Sequence, residues 1–519
     1  MQTTRLPRVK NDSDMWVDEA IWGHRLYDEQ TPWLCFMEFL NVLNSEINSN
    51  RAFQETTPNT LSYSPQARLY LRNILFNNPR MAVIERQHKN DERAQWDSWK
   101  ESMSNSAVSG NVDYSYLENR FPSFEDFKAV VDFLRSSTIE GENNKRWSSQ
   151  FVFPYGPECL YEDLNVKENN STSQDRRFFA RTGELLYLML CRSEKGDELL
   201  PYIQKIVLNS NTKFNRLIMA LQPPQELMNI EGAKREGAYL PYEQLSEYKA
   251  LAEDWLSLFE SKIPMYDVIP HLINITGLHI LIYSLNRSRT ILDHNDKAKF
   301  VLEIVSPKKT VVREISSDAY SDNNNLSRMA VEKYIRSVEE TDEWKQAVLT
   351  ADAVEYRKIL KQKFSWPKDN KEYEYEGINS PEKLLTTLVE SAVSRHKQHL
   401  NKFHNVWSRE IGLSSRRGSR RLRYAPQDLL IKSLVLCIVQ KRMEFQDFLE
   451  KLYQNYGFVI GDKQATEYIS SGRADQVAFA ENATRLEQRL SSMGLLKRLS
   501  DACAYVENPY AVQEDMNYE

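Results

Sequence analysis

The sequence predicts a mainly α, multi-domain helical protein with a small β-hairpin insertion and a C-terminal winged helix. Three observations lead to this prediction. Only 16 glycines and 19 prolines occur in 519 residues, which is few for a chain of strands and tight turns. Apolar residues recur every three or four positions, as on one face of a helix. Near the C-terminus, three such stretches precede two short strand-like segments.

Length and composition indicate a globular chain of several units. Apolar residues make up 41% and aromatic residues 11%, enough for ordinary cores. A chain of 519 residues exceeds the usual size of one hydrophobic core. We therefore predict an N-terminal helical body at 1–290 and a middle region at 291–380 that contains the hairpin and a charged linker. A basic arm and the winged helix follow at 381–519.

The residue pattern predicts a cytoplasmic protein outside the membrane. The five cysteines are far apart, without a CxxC pair, as expected in a reducing compartment, and the N-terminus lacks the apolar segment of a signal peptide. The most apolar run, Ile263–Leu285, contains Asp267, His271 and His279, so a buried helix is favoured. The two histidines lack a third ligand at suitable spacing, and we expect hydrogen-bonded core histidines rather than a metal site.

The segment DEAIWGHRLYDEQTPW, 18–33, combines two acidic pairs with a histidine. Thr31 and Pro32 are typical of a helix start, because a hydroxyl caps the helix and proline suits its first turn. His24 and Asp28 are four residues apart and can meet on a helical turn. A packed corner that they brace is the favoured interpretation, and a cryptic hydrolase site is the alternative.

A β-hairpin is predicted in the middle region. FVLEIVS, Phe300–Ser306, and TVVREIS, Thr310–Ser316, are rich in β-branched residues and are joined by PKK. The polar run SSDAYSDNNN that follows predicts a loop. Glu303 with Lys308 and Lys309 is the one candidate for a nuclease centre, but such centres usually need two or three carboxylates. Among the other familiar signatures, no GxxxxGK[ST], GxGxxG, HExxH or GxSxG occurs, so no catalytic residue, cofactor or metal is predicted.

Positive charge is concentrated near the C-terminus. The whole chain has a net charge of −6, yet 395–519 holds 19 Lys and Arg against 15 Asp and Glu. Between Arg395 and Arg423 there are nine Lys and Arg and a single acid, Glu410. The stretch SSRRGSRR, Ser414–Arg421, predicts a flexible arm whose guanidinium groups pair with phosphates. The predicted phosphate contacts are Arg416, Arg417, Arg420, Arg421 and Arg423. A solvated loop or a docking strip for an acidic partner remains the alternative.

The winged helix is predicted from the residues after Pro426. Three helices are expected, the second ending at Gly457 and the third covering Asp475–Met493, and the strands around Ser500-Asp501 would form the wing. In this fold the third helix enters the major groove and the wing contacts the DNA backbone or minor groove. The predicted contacts are Arg485, Gln488 and Arg489 on the helix, and Lys497 and Arg498 on the wing. Glu481 and Glu487 keep protein contact open as the alternative.

Three phrases resemble large accessory proteins of bacterial anti-phage defence islands: AIWGHRLYDEQTPWLCFMEFL, FVFPYGPECLYEDL and RRFFARTGELLYLMLCRS. The systems concerned are phosphorothioation-dependent restriction and methylation-associated defence. The resemblance implies a cytoplasmic, DNA-associated subunit without a catalytic motif, which works beside an ATPase, helicase or nuclease. We therefore expect a non-catalytic subunit that binds double-stranded DNA through its arm and winged helix and recruits such partners through its acidic body. A nuclease or hydrolase and a pure protein scaffold remain alternatives.

Overall fold

The computed structural model describes most of the chain, in separate segments. They are 17–23, 26–54, 61–64, 68–76, 81–106, 113–136, 156–160, 164–166, 172–174, 181–224, 235–351, 353–366, 380–417, 420–500 and 503–511. Helices dominate and the strands are short, which confirms the predicted mainly α fold.

The first part of the chain is helical, with short strand pairs. Its helices are α1 Val17–Trp22, α2 Pro32–Asn48, α3 Leu69–Phe76, α4 Met81–Gln87, α5 Glu92–Ser106, α6 Ser115–Glu118, α7 Phe124–Ser136, α8 Thr182–Cys191, α9 Gly196–Ile206, α10 Lys213–Leu221, α11 Ser246–Glu260 and α12 Val268–Ile291. Its strands are β1 Leu61–Tyr63, β2 Leu164–Val166, β3 Thr172–Gln174 and β4 Arg235–Ala238, paired antiparallel as β1 with β4 and β2 with β3. The predicted start of α2 is confirmed, because the Thr31 side chain accepts from the Leu34 amide.

Helix α12 forms the centre of the fold. It is long and apolar enough to cross a membrane by length and composition, but 89% of its most apolar window is buried inside the protein. His279 lies 2.7 Å from Asp254 Oδ2 and His271 lies 2.8 Å from Ser433 Oγ. Both histidines predicted to be hydrogen-bonded in the core thus have partners, and burial lowers the pKa of His271 to about 4.

The predicted hairpin of the middle region is wrong. Strand β5, Phe300–Val301, pairs in parallel with a distant strand, β9, Phe458–Val459. Residues from Val311 onward form a helix, α13, Val311–Arg336, whose first turn is capped by the Thr310 hydroxyl. The β-branched residues Val312 and Ile315 are three positions apart and both buried, so they mark a helix face rather than a strand.

The predicted loop SSDAYSDNNN is also helical, because it lies within α13. Its polar residues are used inside the fold: Ser316 donates to the Tyr424 carbonyl, and Asn323 donates to the Lys299 carbonyl and the Tyr424 hydroxyl. The helices that follow are α14 Asp342–Thr350, α15 Ala353–Phe364, α16 Pro381–His399 and α17 Phe403–Glu410.

The last part of the chain alternates helices with short strands. The elements are β6 Ser414–Ser415, β7 Arg423–Tyr424, α18 Asp428–Ile438, β8 Arg442–Glu444, α19 Phe445–Tyr456, β9 Phe458–Val459, α20 Thr466–Ser470, α21 Gln476–Ser492, β10 Leu496–Ser500 and β11 Cys503–Glu507. Strands β10, β11 and β8 form an antiparallel sheet in that order. The predicted end of the second helix is confirmed, since Gly457 has a left-handed φ of 73°.

One hydrophobic cluster reaches from Val17 to Val506 and includes residues of all three predicted regions. The segment at 26–33 lies at a contact between the first region and α16–α17. The Trp407 indole donates to the Gln30 carbonyl at 2.8 Å, and the Asp28 amide donates to the His399 carbonyl at 2.8 Å. The Asp28 carboxylate accepts from the Lys402 amide at 3.2 Å. The predicted brace between Asp28 and His24 cannot be placed, because His24 lies outside the described residues.

Candidate nucleic-acid interface

The arginine-rich arm is the loop of a short hairpin. Ser414 pairs with Tyr424 and Ser415 pairs with Arg423, so β6 and β7 close the base of the loop. Arg416, Arg417, Arg420 and Arg421 lie between these strands and are exposed. The predicted arm is therefore held at both ends by the fold, and four of its five predicted phosphate contacts face solvent.

Arg423 is the exception, and its predicted contact with DNA is corrected by the structure. Its side chain is fully buried, and its Nε donates to the Glu303 carboxylate. Its Nη2 donates to the Arg417 carbonyl at 2.6 Å. A guanidinium with these partners has no surface left for phosphate. Arg423 instead fixes the backbone of the loop that carries the exposed arginines.

Both carboxylate oxygens of Glu303 also make structural contacts. Its carboxylate is fully buried and accepts from Arg423 on one oxygen and from Arg313 Nε, at 3.0 Å, on the other. Neither oxygen is open to a metal ion or a substrate. The structure therefore does not support the alternative of a nuclease centre on Glu303. Among the described residues, no group of three or more His, Cys, Asp or Glu side chains is arranged to hold a metal ion.

Helix α21 is fixed by a buried asparagine to the segment that follows β5 and carries Glu303. Asn482 is fully buried, and its amide donates to the Leu302 carbonyl at 2.9 Å and to the Ile460 carbonyl at 3.0 Å. Its carbonyl oxygen accepts from the Ile304 amide at 2.8 Å. Because Glu303 lies between Leu302 and Ile304, the segment that directly follows β5 sets the position of both α21 and the arm.

An open cleft of about 570 Å³ lies between the arm and α21. Its lining includes predicted contacts from the arm and from α21 together with three apolar residues. The lining residues are Ile304, Val305, Pro307, Arg417, Asp428, Arg485, Gln488, Arg489 and Ser492. Three arginines face one aspartate there. The cleft is therefore suited to an anion.

The two predicted arginines of α21 have different surroundings. Arg485 Nη1 lies 3.5 Å from Glu481, whereas its Nε and Nη2 have no protein partner among the described residues. Arg489 Nε donates to Asp428 and its Nη1 donates to the Pro426 carbonyl, both at 2.8 Å. Arg485 thus lines the cleft with two buried donors that no described protein group satisfies, while Arg489 joins α21 to the start of α18. Gln488 is exposed between them.

The predicted wing residues lie on β10. Lys497 and Arg498 are both exposed, and Arg498 donates to Glu487 of α21 from Nε at 3.0 Å and from Nη2 at 2.7 Å. One of the acids that favoured protein contact thus pairs within the chain. Residues 501–502, between β10 and β11 in the sequence, lie outside the described residues.

A further basic residue, named from the sequence only as part of the nuclease candidate, lies next to the cleft. Lys308 is exposed and directly follows Pro307, which lines the cleft. The neighbouring Lys309 hydrogen-bonds Glu314 and lowers the pKa of that carboxyl, an effect to which Arg421 adds. The PKK motif was the available signal, but its residues were interpreted as a hairpin turn and as part of a nuclease candidate and not as phosphate contacts.

The comparisons with known proteins agree with one part of the sequence analysis. No curated protein and no solved structure matches the chain. A family model described as "Methylation-associated defense system protein MAD7" matches residues 297–510, which include every residue that lines the cleft. Over this range the chain is therefore similar to a methylation-associated defence protein, which confirms the predicted resemblance to a defence-system subunit.

Proposed function

We propose that this protein is a non-catalytic subunit of a bacterial defence complex that binds double-stranded DNA through the cleft between the arm and α21. One observation carries the proposal. Arg417 and Arg485 are far apart in the sequence but line the same open cleft, and the loop around Arg417 exposes three further arginines. Guanidinium groups suit phosphate because they donate two parallel hydrogen bonds.

The order of elements supports a winged helix at the C-terminus. Helix α18, strand β8, helices α19 and α21, and strands β10 and β11 follow in the sequence that this fold requires, and β8 completes the sheet of the two wing strands. Helix α21 would then enter the major groove, with Gln488 towards the bases. Lys497 and Arg498 on β10 would contact the backbone.

The rest of the chain would recruit an ATPase, helicase or nuclease. Outside 395–519 it carries 48 Lys and Arg against 58 Asp and Glu. An acidic body disfavours contact with DNA, so the basic cleft would orient the protein on the duplex while the body faces partner subunits.

Fluorescence anisotropy with a labelled duplex tests the proposal. We expect binding at low salt that weakens steeply as salt rises, because each phosphate contact releases counterions. Changing Arg416, Arg417, Arg420 and Arg421 together to Ala should abolish it. The matched control changes four exposed basic residues elsewhere to Ala, namely Lys205, Lys213, Arg216 and Lys345. Absence of binding at low salt, or equal losses in both variants, would overturn the proposal.

A protein-binding winged helix is the second candidate. Glu481 is exposed on α21, and the exposed positions Ala480, Thr484 and Ser491 on the same helix are small. Such a face lacks the positive charge that contact with DNA phosphates requires. This candidate predicts that the duplex does not bind but that a purified partner subunit does, and that Thr484→Arg disrupts the complex.

A further inference from the structure

A second cleft, of about 510 Å³, lies between α11, α12 and the end of α19, away from the basic cleft. Its volume is in the range of small-molecule sites. Its lining is Ser246, Glu247, Ala250, Glu253, Asp254, His279, Ile282, Asn286, Asp296, Lys297, Ala298, Lys299, Tyr453, Gln454, Asn455, Tyr456 and Gly457. The walls therefore come from the helical body and from the second helix of the C-terminal unit.

Asp254 is a preorganised anchor in this cleft. The residue is only 8% exposed, and its Oδ2 accepts hydrogen bonds from His279 Nε2 and from the Tyr456 hydroxyl, both at 2.7 Å. Its other carboxylate oxygen, Oδ1, has no partner among the described residues. A buried carboxylate with one oxygen held and the other unpartnered is poised to accept a hydrogen bond from a ligand.

The charges around Asp254 favour a cation. Four carboxylates line the cleft against two lysines. Asp296 pairs with Arg289 and Glu253 lies 3.7 Å from Lys249, while Lys299 lies 2.7 Å from Glu467 and Lys297 donates to Ser246. Asp254 has no lysine or arginine partner among the described residues, so its charge is left for a ligand. Helix α19 ends at the cleft with Gly457 as its cap, so the negative end of the helix dipole adds to the field.

We propose that the Asp254 cleft binds a small organic cation whose ammonium or guanidinium group donates to Asp254 Oδ1. The half-buried Ala250 and the buried Ile282, both in the lining, provide an apolar wall for a short alkyl body. Because the cation would contact α11, α12 and α19 together, its binding stabilises the junction between the helical body and the C-terminal unit. The site is separate from the basic cleft and does not depend on DNA binding.

Isothermal titration calorimetry with the full chain tests this site. The probes are 1,4-diaminobutane and 4-guanidinobutylamine, and succinate is the anionic control of similar length. We expect at least one cation to bind and succinate not to bind. Asp254→Asn should weaken binding at least ten-fold, because it removes the charge that anchors the cation.

A blocking variant keeps the test decisive if Asp254→Asn does not fold. Ala250→Trp fills the cleft from α11 without removing a hydrogen bond, and should abolish binding. Ala220→Trp, at a half-buried alanine of α10 outside the cleft, is the matched control and should bind as the wild type does. The proposal is overturned if neither cation binds, or if Ala250→Trp binds them as tightly as Ala220→Trp does.

Discussion

The Arg423 guanidinium and the Glu303 carboxylate form a fully buried ion pair that joins the base of the arginine loop to the segment between β5 and α13, beside α21. Arg313 completes the pair from α13. The three side chains are buried, and none of them lines the basic cleft. They position the cleft instead of contacting its ligand.

Removal of the Glu303 charge should destabilise the protein strongly. Glu303→Gln leaves two buried guanidinium groups with one neutral partner, and breaking a buried ion pair typically costs about 3–5 kcal/mol. Urea unfolding followed by tryptophan fluorescence measures the loss. Glu314→Gln, which breaks an exposed pair with Lys309, is the control and should leave the unfolding midpoint unchanged. Equal midpoints for both variants would show that the buried pair is not a structural element.

Arg423→Lys should weaken DNA binding without changing its salt dependence. Lysine retains a positive charge near Glu303 but cannot make the hydrogen bonds that Arg423 makes to Glu303 and the Arg417 carbonyl. Arg416→Ala, by contrast, should lower the slope of log K against log salt by about one, because it removes a phosphate contact. Anisotropy titrations over a salt series separate the two variants. A reduced slope for Arg423→Lys would mean that Arg423 reaches phosphate after all.

Substitutions of Arg485 and Arg489 should have different effects on DNA affinity and on the free energy of unfolding. Arg485→Ala removes two buried donors without a partner among the described residues and a 3.5 Å contact with Glu481, so DNA affinity should fall while the unfolding midpoint hardly changes. Arg489→Ala breaks the contacts with Asp428 and the Pro426 carbonyl, and should lower the free energy of unfolding by about 1 kcal/mol. Both variants are measured by anisotropy and by urea unfolding. The distinction fails if Arg485→Ala is the less stable of the two.

Glu38 should make stability depend on pH. Burial, and then the charge of Glu184, raises the pKa of this carboxyl to about 7. A carboxyl with a raised pKa in the folded state stabilises the protein below its unfolded pKa of about 4.5, and this contribution is lost as pH rises towards 7. Between pH 5 and pH 8, Glu38→Gln should therefore gain roughly 1–3 kcal/mol relative to the wild type.

Paired urea titrations at pH 5 and pH 8 measure this difference. The comparison with the wild type cancels the opposite effect of buried histidines such as His404, whose lowered pKa removes stability as pH falls. Glu243→Gln, near the surface, is a control whose stability difference from the wild type should be the same at both pH values. If Glu38→Gln behaves like this control, Glu38 is ionised throughout the range.

Local patterns predicted the helices and their ends well. Thr31 and Pro32 start α2, Asp475 caps α21, and Gly457 ends α19, because capping depends on a few adjacent residues. In α21, Phe479, Ala483, Leu486 and Leu490 recur every three or four positions and are all buried. These features are set by contacts within one or two helical turns.

The middle region shows where local patterns fail. Val312 and Ile315 have strand propensity, but tertiary packing places them on a helix, and β5 finds its partner in β9 more than 150 residues later. Propensity differences of a few tenths of a kcal/mol are easily outweighed by the burial of a whole helix face.

The sequence by itself determined the helical fold class, the concentration of positive charge near the C-terminus and the resemblance to a defence-system protein. Only the tertiary structure decided which arginines face solvent. Arg421 and Arg423 are two residues apart, yet one is exposed and the other is buried against Glu303, 120 residues away in the chain. Charge can be counted from residue types, whereas its availability depends on which distant carboxylate the fold brings within hydrogen-bond distance.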